Sequence, residues 1–350
     1  MNSSSLHAAR PSSRFAAFAA VAAPVMSLTA IVLHLAVMTC FAGRWDKTAA
    51  ITIIPIWVWS LLGVSLAGIA WLCARGRFAA FAFALWSVTL LACPDEWRGL
   101  WRAVASGTKP PAHPSVTPRS QDHLRVVTLN CRARNFLSAK EAATWNPDIL
   151  LLQEMRGGLG GPLAALAHEL WGPKGSVVFG ADTVILARGT LVPSARTPPG
   201  PSQQFIQATL TLPDGRQLEV ASVHLQGHVT DLRLWNWRTW RAHAQVQKSH
   251  RLYVADVMLR SLAVAGDRPC LIGGDFNSPA GDRTFQTLRP RFRDAFAEAG
   301  VGWGNSFPND WPILRIDQVW ATHELAPVTA RAAPSSHSDH RLVIVDYKWK

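Results

Sequence analysis

Residues 15–43 and 49–73 contain no Lys, Arg, Asp or Glu, and that constrains the chain more than any other feature. About 20 apolar residues in helical form cross a hydrocarbon core. Each run is long enough, so both are expected to span a membrane. A third run, residues 78–93, is shorter and reads as a short span or one arm of a re-entrant hairpin. Three spans are expected, with two as the alternative. A cleaved signal peptide fits poorly, because several apolar runs follow one another. Pro24 and His34 inside the first run read as tolerated helix residues. Arg10 and Arg14 precede the first run, "RWDK" (44–47) follows it and "ARGR" (74–77) follows the second. Basic residues thus fall on both sides, and the positive-inside count nearly ties. Three spans with an inner N-terminus put the C-terminal part outside the cytoplasm, and the reading leans that way.

Behind the apolar part the composition changes. Trp97 and Trp101 in "PDEWRGLWRAV" are expected at the membrane interface. The stretch 105–121 is rich in Pro, Ser and Thr and reads as a tether. The organisation is therefore a membrane region at 1–104, a linker at 105–121 and a globular domain at 122–350. The chain has 35 Lys+Arg against 23 Asp+Glu, a formal charge of +12. Such a balance suits anionic partners. About +7 lies before residue 122 and about +5 after it, so the globular part is only mildly basic. The five cysteines form no CxxC and no His/Cys cluster, which argues against a zinc site or a disulfide framework.

The globular part alternates strand and helix patterns. Strands are expected at 124–130, 148–154, "SVVFG", "DTVILAR", "CLIGGDF", "RIDQVWAT", "APVTARAAP" and "RLVIVDYKW", with a hairpin over 203–225 turning at Asp214-Gly215. Helices are expected at 138–145, with Ser138 and Glu141 as a capping box, at 161–170, from about Leu232 to Val264, and in pieces near 283–299. Nearly all-apolar strands such as "DILLLQE" imply a sheet covered on both faces. The mixture argues for an α/β sandwich.

Several strands end in groups able to do phosphate or metal chemistry. Asn130 ends the first strand and Glu154 the second; His224 ends the hairpin. The stretch "LIGGDFNSP" delivers Asp275 and Asn277. Asp317 opens a later strand, and Asp339 and His340 precede the last one. Singly each is an ordinary turn or surface residue. Their recurrence at strand termini points to one shared cleft.

The motifs "VVTLNCR", "DILLLQE", "SVHL", "GGDFNSP", "RIDQVW" and "SDHRLVIVD" resemble, in order and approximate spacing, the endonuclease/exonuclease/phosphatase superfamily. The resemblance covers about 122–350, and the layout is similar to that of membrane-anchored bacterial members, which implies a bacterial inner-membrane protein. The family's fold implies a four-layer α/β/β/α sandwich of two mixed sheets. Its chemistry implies magnesium, with manganese as a substitute, held by Glu154 with Asn130 and Asp339. It implies Asp275 to orient or deprotonate water, Asn277 to hold a phosphoryl oxygen, and His340, oriented by Asp317, as donor or acid/base. His224 is implied as phosphate ligand or leaving-group assistant. Abasic-site endonucleases carry a metal-binding carboxylate two residues after the first Asn. Here Arg132 stands there, as in deoxyribonucleases of the pancreatic type, which implies a phosphate contact instead. The implied activity is metal-dependent hydrolysis of nucleic acid or phospholipid headgroup esters. A phosphomonoesterase on the same site and a non-catalytic membrane scaffold are the alternatives.

One further stretch, 231–251, interleaves Trp235, Trp237 and Trp240 with Arg233, Arg238 and Arg241. It reads either as a basic aromatic surface for nucleic acid or lipid headgroups, or as a helix packing its tryptophans on the sheet. The packed helix is the favoured expectation. His228 and His337 read as rim or structural residues.

Overall fold

The structure is a computed structural model, and it describes residues 13–107, 122–155, 159–194, 204–263 and 266–350. Most of the expected tether lies outside the described residues. The chain divides into two compact units. One comprises the chain up to Gly43 with Ile54–Pro94, the other Arg44–Ile53 with Asp95–Lys350.

The leading helices are α1 (Ser13–Gly43), α2 (Ala49–Thr52), α3 (Ile56–Ala74), α4 (Arg77–Ala92) and α5 (Asp95–Ala105). Among the described residues, Ala20–Gly43 and Ile56–Ala74 are long and apolar enough to cross a membrane. Within the first unit, His34 Nε2 meets the Thr89 hydroxyl at 2.8 Å, which gives a half-buried polar ring a partner. The second apolar run is not one helix from residue 49. Pro55 lacks an N–H and biases Ile54 away from helical backbone, so α3 begins at Ile56. Residues 44–53 instead belong to the second unit, where Asp46 pairs with Arg251 at 2.8 Å. Helix α5 belongs there too. Its Arg102 donates to the Phe296, Ala297 and Gly300 carbonyls, and Trp97 meets Trp303 edge to face.

The second unit continues with β1 (His123–Asn130), α6 (Phe136–Ala143), β2 (Ile149–Gln153), α7 (Gly160–Trp171), β3 (Gly175–Phe179), β4 (Thr183–Arg188), β5 (Thr190–Pro193), β6 (Phe205–Thr211) and β7 (Gln217–His224). Then come α8 (Trp237–Leu252), a π-helical turn at Tyr253–Met258, α9 (Leu259–Ala263), β8 (Cys270–Asp275), β9 (Arg293–Asp294), α10 (Ala295–Ala299), β10 (Asp317–Ala321), β11 (Leu325–Ala333) and β12 (Leu342–Trp349). Two six-stranded mixed sheets form, ordered β11-β12-β1-β2-β4-β3 and β5-β6-β7-β8-β10-β9.

Strand alternation explains the layers. Leu124 and Val126 of β1 turn to the other sheet, against Leu271 and Val319, while Val127 and Leu129 turn outward to Ala139 of α6 and Leu163 of α7. On the far side Ile272 and Trp320 pack with Val254, Met258 and Leu262 of the long helical arm. The sandwich is therefore four-layered, and strands covered on both faces read as continuous apolar runs.

Two helix starts differ from expectation. Asn135, not Ser138, caps α6 by accepting from Leu137 N. Ser138 donates to the His337 carbonyl, and Glu141 binds Ser335 and Ser336 of the loop before β12. Helix α8 starts at Trp237 rather than near Leu232, because Asn236 caps it and Asp231 holds Arg233 N in a local turn.

Candidate active site

Sheet register brings the polar strand ends to one edge. In one sheet His224 of β7 and Asp317 of β10 both stand opposite Asp275 of β8. In the other, Asn130 of β1 stands opposite Gln153, which stands opposite Thr183, so Glu154 and Asp182 leave the sheet side by side. Beneath this edge Gln153 bridges the sheets, donating to Thr128 and Ser222.

The "GGDFNSP" segment is built by close backbone approach. A Cβ on Gly274, whose φ is +144°, would lie 2.0 Å from the Val223 carbonyl oxygen, and one on Gly273 would lie 2.6 Å from Leu151. The glycines therefore let β7 and the opposing sheet come close; they do not make room for substrate. Strand β8 ends at Asp275, so simple alternation does not align Asp275 with Asn277. An Asx turn does: Asp275 Oδ1 accepts from Asn277 N at 2.8 Å, and Asn277 takes a φ of +48°. Phe276 turns the other way, into the core.

Asp275 Oδ2 is the vertex of the site. It accepts from Asn130 Nδ2 at 3.1 Å and Asn277 Nδ2 at 3.3 Å. His224 Nε2 and His340 Nε2 each lie 3.9 Å from it, beyond hydrogen-bond distance. Each ring is anchored from behind through Nδ1: His224 to Asp182 Oδ2 at 2.7 Å, His340 to Asp317 Oδ2 at 2.8 Å. A carboxylate only accepts, so each Nδ1 carries a proton and donates. Burial works against a charged ring at His340. Asp317 and Asp275 outweigh it and push the pKa up to about 10. His224 moves the same way for the same reason, with burial opposed by Asp182 and Asp275.

Glu154 stands beside this vertex in a left-handed conformation, φ +58°. Its Oε1 accepts from Asn130 Nδ2 at 3.1 Å and its Oε2 from Ala133 N at 2.7 Å. Arg132, Ala133 and Arg134 are consecutively left-handed, at φ +40°, +51° and +69°. Such backbone persists only where its surroundings over-determine it. Together Ala133, Arg134, Glu154, Asp182 and His224 line a cleft of about 380 Å³.

Two expected residues lie apart from this group. Asp339 and Arg132 sit at the exposed rim, 3.9 Å from one another. Asn130 turns its NH₂ rather than its carbonyl towards Glu154 and Asp275, because its Oδ1 accepts from Arg132 N. It therefore joins two carboxylates and is not oriented as a metal ligand. Asp275, Asp317 and His340 also form a compact potential ligand group. Two of its members already bond each other, so that closeness belongs to a hydrogen-bonded pair. Glu154 faces the cleft beside this group. The donors fit a hard divalent cation, and among the described residues the buried Asp317 Oδ1 of the Asp275–Asp317–His340 group has no hydrogen-bond partner.

Sequence reading missed Asp182, which sits between Ala181 and β4 like any turn residue; its position at a strand start, like that of Asp317, is the only signal. His228, read as a rim or structural residue, has its Nδ1 3.1 Å from Asn277 Oδ1. Its ring stands edge-on to Phe307, which also contacts His340. The His337 backbone carbonyl accepts from Asn135 and Ser138.

These strand-end carboxylates and paired imidazoles are the equipment of a phosphoester hydrolase. The chain belongs to the Endonuclease/Exonuclease/phosphatase family, whose pattern it matches over residues 127–340. No curated protein shows significant sequence similarity to it. Among solved structures it is similar to the endonuclease/exonuclease/phosphatase from Bacteroides vulgatus, at 16% identity and a TM-score of 0.49 over 65% of this chain and 99% of that one. The catalytic domain of human Nocturnin with bound sulfate gives 18%, 0.46, 69% and 100%. The 3'-5' exonuclease of Neisseria meningitidis gives 19%, 0.45, 65% and 100%.

Proposed function

We propose that the protein is a membrane-anchored, divalent-metal-dependent phosphodiesterase that hydrolyses nucleic acid or phospholipid headgroup esters. The observation that carries this reading is Asp275 Oδ2, flanked at 3.9 Å by two imidazoles that are each backed by a carboxylate. Glu154 would hold the cation, Mg²⁺ or Mn²⁺, with retained waters completing the shell; when bound, it supplies charge neutralisation to an anionic diester.

The remaining roles fall to the chain itself. Asp275 accepts a proton from the attacking water as the new P–O bond forms. The two amide groups on Oδ2 keep that carboxylate aimed. The His340 Nε2–H would hold a non-bridging oxygen, while Asn277, whose two N–H groups go to the Leu225 carbonyl and Asp275 Oδ2, positions Asp275 instead of holding the phosphoryl oxygen the resemblance implies. The His224 Nε2–H is placed to protonate the leaving oxygen as the old P–O bond breaks. Asp182 and Asp317 accept from the two Nδ1–H groups and so orient both rings and favour protonated Nε2. Arg132 at the rim is assigned to substrate contact, and Asp339 beside it keeps the metal role the resemblance implies, acting through a retained water.

The test uses the full chain in detergent with Mg²⁺ and bis-p-nitrophenyl phosphate. Hydrolysis is expected, with loss of about 10³-fold in Glu154→Ala and in Asp275→Ala. A metal-loaded protein inactive on every phosphodiester offered would refute the reading. Lipid anchoring is supported by α1 and α3, and side of the membrane is read from a C-terminal reporter fusion. With the N-terminus inside, alkaline phosphatase activity is expected if Arg77–Ala92, bent by 60° from Asp95–Ala105, makes a third span, and green fluorescence if α1 and α3 alone cross.

A further inference from the structure

The favoured expectation for residues 231–251 does not hold. Helix α8 does not pack all its tryptophans on the sheet. Trp235 and Trp237 are 84% and 64% exposed, and Leu232 beside them is 51% exposed. Only Trp240 is tucked in, its Nε1 donating to the Leu234 carbonyl at 2.7 Å. Arg233, Arg238 and Arg241 are exposed around them. Large apolar side chains clustered with cations on a loop and first helical turn mark an interaction site.

Where this loop lies says what it meets. The inner face of α8 packs on the segment between α1 and α3. Ala49 and Ile53 line a small pocket with His243, Val246 and His250, and Asp46 pairs with Arg251. The chain is thus fixed to α8 at Ile53, and three residues later it enters the apolar helix α3. Trp235 and Trp237 therefore stand at the start of the helix on which the chain rests three residues, in sequence, before α3.

We propose that Leu232, Trp235 and Trp237, with Arg238 and Arg241, form a loop that docks on the surface of an anionic lipid bilayer. Indole rings favour the headgroup level, and arginines beside them pair with lipid phosphates. Leu232 argues for acyl chains, because an aliphatic side chain gives a nucleobase no stacking platform. The loop begins at the site: Asn277 Nδ2 donates to the Leu225 carbonyl, and His228 bonds Asn277. Docking would thus hold the Asn277 side of the cleft near the lipid headgroups. The inference rests on reading α1 and α3 as spans, and not on the chemistry of the cleft.

The test uses the full chain in nanodiscs, with Cys40, Cys73 and Cys93 replaced by Ala and the buried Cys131 and Cys270 kept. Trp235→Cys, Leu232→Cys and a reference, Val192→Cys on the edge strand β5, are labelled with a fluorophore. Lipids carrying a nitroxide near the headgroup are expected to quench labels at 232 and 235 at least threefold more than at 192. The difference should be larger in phosphatidylglycerol than in phosphatidylcholine. Equal quenching at the three positions in phosphatidylglycerol discs overturns the proposal. So does a label at 235 that ignores lipid and responds to single-stranded DNA. Extraction of the wild-type chain by alkaline carbonate would break the span reading itself; an integral protein with unquenched 232 and 235 breaks the docking loop alone.

Discussion

Two pairs of buried histidines in the same unit are driven in opposite directions. His224 and His340 stand at the strand ends, each with Nδ1 on a carboxylate, and both are pushed up. His243 and His250 stand on α8 and are pushed down, His250 to about 4. Burial acts on all of these rings and always disfavours the charge. The partners decide the sign. His250 Nε2 meets the Gln226 carbonyl at 2.7 Å and Nδ1 meets the Ser278 hydroxyl at 2.8 Å, so a neutral ring satisfies both. At the strand ends a full negative charge replaces the carbonyl, and the imidazolium wins. One pair is thus biased towards the charged form beside Asp275, while the other is biased towards the neutral form, His250 behind Ser278 and His243 against the Asp231 carbonyl.

The largest effects should come from breaking the charged pair at its centre. Asp275→Ala removes the vertex itself and is expected to cost about 10³-fold or more in kcat, as is Glu154→Ala. Asp317→Asn is more telling for the comparison. It keeps the shape but removes the charge behind His340. The ring's pKa should fall from about 10 towards its ordinary value or below, read by NMR, with kcat down about 10²-fold. An Asp317→Asn protein whose His340 still titrates near 10 would show that the pair does not set the charge.

Much of this site could be read from the chain, and what could not has physical causes. That Asn130, Glu154, His224, Asp275 and Asp317 meet at one edge was legible because strand ends are local patterns. The neutral pair was not, because nothing local to His243 or His250 says which carbonyl or hydroxyl a helix will face. Asp182 was hidden for the same reason: its partner, His224, belongs to the other sheet. Asp339 is a ligand by resemblance, and what the sequence did not show is that its carboxylate stands at the rim, 3.9 Å from Arg132. In the fold, the two sheets and their apolar strands were plain. That residues 44–53 belong with α8 was not, since Ala49 to Thr52 look like the start of a span until Pro55 is given its weight.

The neutral pair yields the next effect, on stability. The folded pKa of His250 lies below that of the unfolded chain, so between about 6.5 and 4 the unfolded state binds more protons. Its contribution is fully present above about 6.5 and is lost as pH falls towards 4, by about 3 kcal/mol at most. His250→Gln should be somewhat less stable at pH 7 but lose less on acidification. Urea unfolding at pH 7.5 and 4.5 measures both slopes. Parallel slopes for wild type and variant would place the acid sensitivity elsewhere. His340 carries the opposite sign: its raised pKa stabilises below about 6.5, and that contribution disappears as pH rises through about 10.

The smallest expected effect is the sharpest test of how the two charged rings differ. His224 leans on Asp182, which comes from the opposite sheet, but Asp275 and Glu154 also favour its charge. Asp182→Asn therefore leaves two of the three carboxylates acting on the ring. The amide can still accept from Nδ1 through its oxygen, so the tautomer survives. The expected loss in kcat is about tenfold, well short of the Asp317→Asn loss, with KM nearly unchanged. If His224 protonates the leaving oxygen, that loss should shrink for a substrate whose leaving group is a good one, such as p-nitrophenolate, and grow for a poor alkoxide. Rates for the two substrate types in wild type and Asp182→Asn measure this directly. Equal losses on both would take His224 away from the leaving group and leave it as a phosphate contact.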